Sequence, residues 1–388
     1  MENTTFAKKK LKMNLSKSIL ISLSLIFLLI SCNESRKNKE IKQDFTAQNK
    51  LKYAKGFEIQ HFKNYKKLVI KAPYKDSKET YEFILTNSKS STQLNSIKVP
   101  INTIVVTSTT HIPMLELLNV QNSLVGYPNT DYVSSSKTRT LINSGKIKEL
   151  GNEESMNTEL LLELKPDVVV GFSINSNNKM FNTIQNFGIP VLLNGDWIEE
   201  TPLGRAEWIK FFGVLFNKEK EADSIFNDIE NNYLEAKNIA LKTTNTPTVI
   251  SGGLFKDIWN LPAGDSFEAA FLKDANTNYL WENSKGKGSL SLNIENVFEK
   301  GKDADIWISP SYHSSLEELK TTNAIYSKFN SFKKETIYSF NNKRGEKGGI
   351  IYFEVAPARP DLVLKDLIKI AHPELLKDYE FTFFEKLK

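Results

Sequence analysis

The spacing of apolar residues changes several times along the chain, and each change predicts a different kind of structure. Residues 18–30 are a largely apolar run, with Ser18, Ser22 and Ser24 as its polar positions, behind Lys8, Lys9, Lys10, Lys12 and Lys17. A basic segment, a short apolar run and a small residue make up a secretory signal. The run is shorter than the roughly 20 residues a membrane-spanning helix needs. Residues 33–50 are polar and charged and predict a flexible tether. Alternating runs at 57–62, 68–70 and 81–85, separated by turn-rich segments, then predict a small antiparallel meander.

From Ile101 the pattern is different. Thr103-Ile104-Val105-Val106, Asp167-Val168-Val169-Val170-Gly171 and Val191-Leu192-Leu193 are continuous apolar runs bounded by Gly and Pro, with helical stretches between them. Such runs predict parallel strands buried on both faces. From 203 to 242 the pattern is helical and breaks near Asn217. In its second half Ala222, Ile225, Phe226, Ile229, Tyr233, Ala236 and Ala240 recur at three- and four-residue steps. A helix of about 23 residues would span about 35 Å, the width of a lobe. After Pro247 strand–helix alternation resumes, with strands at 249–251, 305–308 and 336–338 and a last helix ending at Ile370.

The expected fold class is α/β: two lobes, each with a central, mainly parallel sheet flanked by helices, joined by a long bridging helix, with a small N-terminal β meander. The boundaries fall at 1–31 (signal peptide), 32–50 (tether), 51–97 (meander), 98–202 (N-terminal lobe), 203–242 (bridging helices) and 243–388 (C-terminal lobe).

Cysteine usage sharpens the first assignment. Leu29-Ile30-Ser31-Cys32 resembles the bacterial lipobox, which implies cleavage before Cys32 and a diacylglyceryl thioether on it. The expected product is an exported lipoprotein, held to a bilayer through Cys32 and facing the periplasm. Cys32 is the only cysteine, so the exported domain must be stable without disulfides. The removed segment carries five lysines against Glu2, a surplus of four, so the net charge falls from +5 to +1. Nothing in that balance calls for a nucleic-acid partner.

A feature recurs in the two lobes. Asn157-Thr158-Glu159-Leu160-Leu161 leads to Asp167-Val168-Val169-Val170, and Asn293-Ile294-Glu295-Asn296-Val297 leads to Asp305-Ile306-Trp307-Ile308. Asparagine is a strong N-cap, and a glutamate two residues later complements the helix dipole. Each glutamate alone reads as a helix-start residue; the pairing, one per lobe ahead of a strand, suggests more.

Over residues 98–388 the chain resembles the substrate-binding proteins of siderophore, haem and cobalamin ABC importers, whose two lobes are joined by a helix. The likeness rests on the order of Val99-Pro100, Ile104-Val105-Val106, Leu124-Val125-Gly126, Leu164-Lys165-Pro166-Asp167, Gly188-Ile189-Pro190-Val191, Tyr352-Phe353-Glu354 and Arg359-Pro360-Asp361. In that family one surface glutamate per lobe pairs with arginines on the two permease copies. The resemblance therefore implies an ABC permease dimer as partner, docked through Glu159 and Glu295. Exposed carboxylates of this kind set registry and steer approach.

Ligands of open α/β sheets sit beyond the C-terminal ends of the strands. The loops there offer Tyr132, Phe172 and Trp197 in the first lobe and Trp259, Tyr312, Tyr352 and Arg359 in the second. The resemblance adds that the segment at Tyr352 matches a ligand contact. Broad rings suit a bulky metal chelate, an iron–siderophore, haem or corrinoid. For each ring, core packing and ligand contact are both open at this point, and Arg359 reads equally as the start of a helix. Trp208 and Phe211 read as core.

Two other functions compete. A bare zinc or manganese ion would call for about three histidines and a carboxylate. Of His61, His111, His313 and His372, the sequence lets at most His111 and His313 reach a cleft. A lipoprotein using the fold for protein contacts is the second alternative. Enzyme chemistry is not expected: no nucleophile elbow, zincin or P-loop motif occurs, and Gly264-Asp265-Ser266 has no Asp-x-x-His partner near the C-terminus. No cofactor or metal centre is expected.

Overall fold

The computed structural model describes residues 45–49, 51–87, 95–152, 155–175 and 179–388. The signal segment, Cys32 and most of the tether lie outside the described residues. The end of the predicted tether does not: β1 (Phe45–Asn49) pairs antiparallel with β2 (Phe57–Phe62), Gln48 opposite Gln60. The ladder is made by the backbone, which a polar composition does not forbid.

The meander continues with β3 (Lys66–Lys71), β4 (Thr80–Thr86) and β5 (Ser96–Lys98), in the order β1-β2-β3-β4-β5. Its inner face buries Phe57, Ile59, Leu68, Ile70, Phe83 and Leu85. These join the main core against Trp208 and Phe211, as Phe57 does with ring centroids 4.6 Å and 5.9 Å away. The attachment is also polar. The fully buried Glu207 carboxylate accepts the amides of Lys52, Tyr53 and Ala54 at 2.8–3.0 Å. Glu199 accepts those of Lys55 and Gly56, both at 2.9 Å.

The first lobe holds β6 (Ile104–Val106), β7 (Leu124–Tyr127), β8 (Lys148–Glu149), β9 (Val168–Gly171) and β10 (Val191–Leu193) in one parallel sheet, ordered β10-β9-β6-β7-β8. The second holds β11 (Thr248–Ser251), β14 (Asn278–Tyr279), β16 (Ile306–Ile308), β17 (Ile337–Ser339) and β18 (Glu385–Lys386), ordered β14-β11-β16-β17-β18, with only β18 antiparallel. A small antiparallel sheet of β12 (Gly253–Phe255), β13 (Ile258–Pro262) and β15 (Ser289–Leu292) stands beside it.

The two main sheets share one topology, β7-β6-β9-β10 matching β14-β11-β16-β17. A local clasp recurs with it. Asp167 accepts the Thr103 amide at 3.1 Å while Thr103 Oγ1 takes the Asp167 amide at 3.0 Å. Asp305 and Thr248 repeat both contacts at 3.0 Å. Each clasp ties the start of a lobe's first strand to the strand that follows the Asn-capped helix.

Between the lobes run helices Pro202–Ala206, Ile209–Leu215 and Glu219–Ala240, the chain turning at Asn217 with φ 54°. The last has 22 residues, about 33 Å at 1.5 Å per residue. It packs on Ile209–Leu215 and on the C-terminal helix Pro360–Ala371. Tyr233 on its buried face donates to Asp274 of the second lobe at 2.7 Å.

Candidate functional site

The loops leaving β6, β11, β16 and β17 meet the start of the bridge. Two adjoining cavities lie between them, of about 290 and 160 Å³. Glu268, Phe271 and Tyr352 line both. The larger is closed by Thr110 of the first lobe and by Arg205 and Phe267, and the smaller by Gly252, Ser309 and Phe340. A third, of about 320 Å³, opens outward past Tyr312 and Phe353. Gly252 has φ 77°, and a Cβ there would collide with the Asn260 carbonyl; only glycine lets β11 turn into β12 this tightly.

Charge collects on the cleft floor. The Arg205 guanidinium lies over the Phe267 ring, 3.5 Å from its centroid, and Nη2 donates to the Trp197 carbonyl at 2.6 Å. Burial lowers its pKa, while Asp196 and Glu268 act to raise it. Burial raises the pKa of Glu268 and of Asp196, against the pull of Arg205 in both cases. The Tyr352 phenol is also pushed up by burial, and its ring stacks on Phe340 at 4.2 Å. The floor thus offers a cation–π pair, a buried carboxyl and a stacked phenol, a mixed surface for a ligand with both flat and polar parts.

The residues singled out from sequence fall in different places. Tyr352 lines the inner cavities, and Tyr312, 71% exposed, stands at the outer one. Phe172 and Trp197 form an edge-to-face pair at 5.7 Å, with Trp197 facing a separate cavity beside the meander. Tyr132 is exposed and lines none of these cavities. Trp259 is not in the cleft. It is fully buried, stacked on Trp307 at 5.2 Å, with Nε1 donating to the Ser251 carbonyl at 3.0 Å; all its valences are spent in the core. Arg359 is likewise structural, gripping both oxygens of Asp361 at 2.8 and 2.7 Å at the start of the last helix.

Arg205, Phe267 and Glu268 escaped sequence reading. Arg205 is one basic residue in an apolar helical run, and Glu268 follows the Gly264-Asp265-Ser266 turn. Ser266 there is an N-cap, its side chain accepting the Ala269 amide at 3.2 Å.

His111 is fully buried, its pKa lowered to about 3 by burial, and it packs on Phe212. The expectation that it could reach a cleft is therefore corrected: its loop leads straight into a covered helix. The His313 ring bonds the Pro310 carbonyl at 2.9 Å and Thr322 Oγ1 at 3.0 Å. Among the described residues no group of three His, Cys, Asp or Glu is placed to hold a metal ion.

Glu159 and Glu295 are both exposed, each at the second position of its helix. Asn157 caps the first helix, accepting the Leu160 amide at 3.0 Å, and Asn293 the second, accepting the Asn296 amide at 2.9 Å. The helices precede β9 and β16, equivalent strands of the two sheets.

This bilobal architecture with an inter-lobe cleft is that of an extracytoplasmic solute-binding protein. The chain belongs to the periplasmic binding protein family, whose model matches residues 104–343. It is 27% identical over 364 residues to an uncharacterized lipoprotein of Methanocaldococcus jannaschii, covering 87% of this chain and 85% of that one. A possible iron-binding (periplasmic solute-binding) protein from Staphylococcus epidermidis shares the fold at a TM-score of 0.56, with 20% identity over 70% of this chain and 99% of that one. A periplasmic heme-binding protein from Pseudomonas aeruginosa does so at 0.56, with 14% identity over 74% and 98%.

Proposed function

We propose that the protein is an exported lipoprotein, anchored through Cys32, that captures a bulky metal chelate between its lobes and delivers it to an ABC permease dimer. It performs no chemistry itself. The observation that carries this reading is the cleft floor, where the Phe340–Tyr352 stack and the Arg205–Phe267 pair flank one chain of cavities. Flat rings beside a buried cation suit an iron–siderophore, haem or corrinoid better than a bare ion. The matched topology of the Glu159 and Glu295 helices supports docking onto a two-fold partner. Lipoproteins among the relatives, and iron- and haem-binding proteins among the structural neighbours, point the same way.

The test is a thermal-shift panel of ferric siderophores, haem and corrinoids on the purified lipid-free protein. A ligand that binds only the folded state raises the melting temperature by an amount that grows with the logarithm of its concentration relative to Kd. One chelate class is expected to do so while free Zn2+ and Mn2+ do not. Stabilisation by a free metal ion alone would replace the chelate with that ion.

A further inference from the structure

A cavity of about 560 Å³ lies outside the inter-lobe cleft, where the meander meets both lobes. The meander supplies Lys55, Lys71 and Lys75 to its wall, the first lobe Trp197, the bridge Arg205, and the second lobe Lys287. Its walls are fixed. Glu199 holds the Lys55 and Gly56 amides from below, and Glu200 bonds both Lys55, at 3.3 Å, and Lys287. The meander lies outside the family match at 104–343, so one wall of the cavity comes from beyond the matched stretch.

Five cations line this space against Asp76, Glu199 and Glu200. Glu200 is shared by Lys55 and Lys287, and Lys71 is paired with Glu58. Among the described residues neither Lys75 nor Arg205 has an ion-pair partner. Two donors are also unused: Trp197 Nε1 and Arg205 Nε are buried without an acceptor. The two residues are in contact, since Arg205 Nη2 donates to the Trp197 backbone carbonyl, and both line the chamber. Asp196 and Glu268 act on the Arg205 charge, yet its Nε and the indole N–H both lack an acceptor; two buried donors on residues that line one chamber suit an anion with more than one acceptor oxygen.

We propose that this chamber is a second ligand site, for a small aromatic carboxylate. The carboxylate takes the Arg205 and Trp197 donors, Lys75 supplies long-range attraction at the mouth, and the ring of the ligand packs on the indole. Arg205 lines this chamber and the inter-lobe cleft alike, so it is the partition between the two. The proposal does not depend on what the cleft carries.

The test is isothermal titration of the mature protein with benzoate, and with benzyl alcohol as the uncharged control. Benzoate is expected to bind one saturable site that weakens with added salt, and benzyl alcohol is not. Trp197→Phe keeps a ring but removes the N–H and should weaken benzoate about tenfold, as loss of a hydrogen bond to a charged group does. Lys75→Gln, at an exposed position, should weaken it severalfold with the melting temperature unchanged. Phe353→Ala, at an exposed position that lines the cleft cavities and not this chamber, should leave benzoate binding intact. Absence of saturable binding, or binding insensitive to Trp197→Phe and Lys75→Gln but sensitive to Phe353→Ala, would overturn the assignment.

Discussion

The Glu354 carboxylate of the second lobe accepts the Ser134 amide of the first at 2.6 Å, and the Ser135 amide at 3.0 Å. Backbones close up at the same seam: a Cβ on Gly345 or Gly349 would collide with the chain at Ser134 or Tyr132. The bridge on one side and this contact on another hold the lobes together.

Burial pushes the Glu354 pKa up from 4.5 to about 7, helped by nearby Glu116 and opposed by the two amides and Arg139. A carboxyl whose folded pKa is raised favours the native state most when protonated. Its contribution is therefore fullest below about pH 4.5 and falls as pH rises towards 7, by about 3 kcal/mol in total. Urea unfolding from pH 4.5 to 8 should show this decline in the wild type and a flatter profile in Glu354→Gln over the same window. Parallel profiles would mean that Glu354 does not titrate as described.

Glu207 binds the meander to the body. Its carboxylate has no exposed surface and serves three backbone amides as well as Lys210 Nζ at 3.0 Å. Glu207→Ala strands those groups and should cost about 3–5 kcal/mol, the range for breaking a buried charged pair. Hydrogen exchange at Lys52, Tyr53 and Ala54 should accelerate more than in either central sheet. Uniform acceleration would place Glu207 in the global core instead.

The docking proposal separates binding from delivery. Glu159→Arg with Glu295→Arg opposes two helix dipoles but leaves both Asn caps in place, so each should cost less than about 1 kcal/mol. Chelate affinity should be unchanged, while uptake in a strain lacking the wild-type gene should be lost. Uptake at wild-type rate would remove these residues from the permease interface.

Sequence pattern carried the fold further than the site. Period-two runs marked β2 to β4, continuous apolar runs marked β6, β9, β10, β11 and β16, and the three–four spacing of Ala222 to Ala240 marked the long helix. The sheet of β12, β13 and β15 was not legible, because β12 has only three residues and β13 ends in a proline. The cleft was read from aromatic residues after strand ends, and that signal fails at Trp259. The turn at Gly252-Gly253 sends the chain back over the sheet, so a ring beyond it lands in the core. Arg205 was hidden for the opposite reason: a lone basic residue in a helical run reads as solvated unless Phe267, 62 positions later, is known to lie beneath it.

Trp259 and Tyr352 now make opposite predictions from similar-looking positions. Trp259 contacts Trp307, Tyr326 and Phe329 and is sealed from solvent. Trp259→Ala should cost about 3–5 kcal/mol of stability, as large-to-small changes of buried aromatics do. Below the lowered melting temperature, chelate affinity should stay within about twofold. Tyr352→Phe keeps the stack on Phe340 and should change stability by less than about 1 kcal/mol. It removes the hydroxyl from a ring that lines both inner cavities, so affinity for the chelate should fall severalfold. Measured together by denaturant unfolding and ligand titration, the two variants distinguish core from cleft. A Trp259 variant that loses affinity in proportion to nothing in its stability would return that ring to the site.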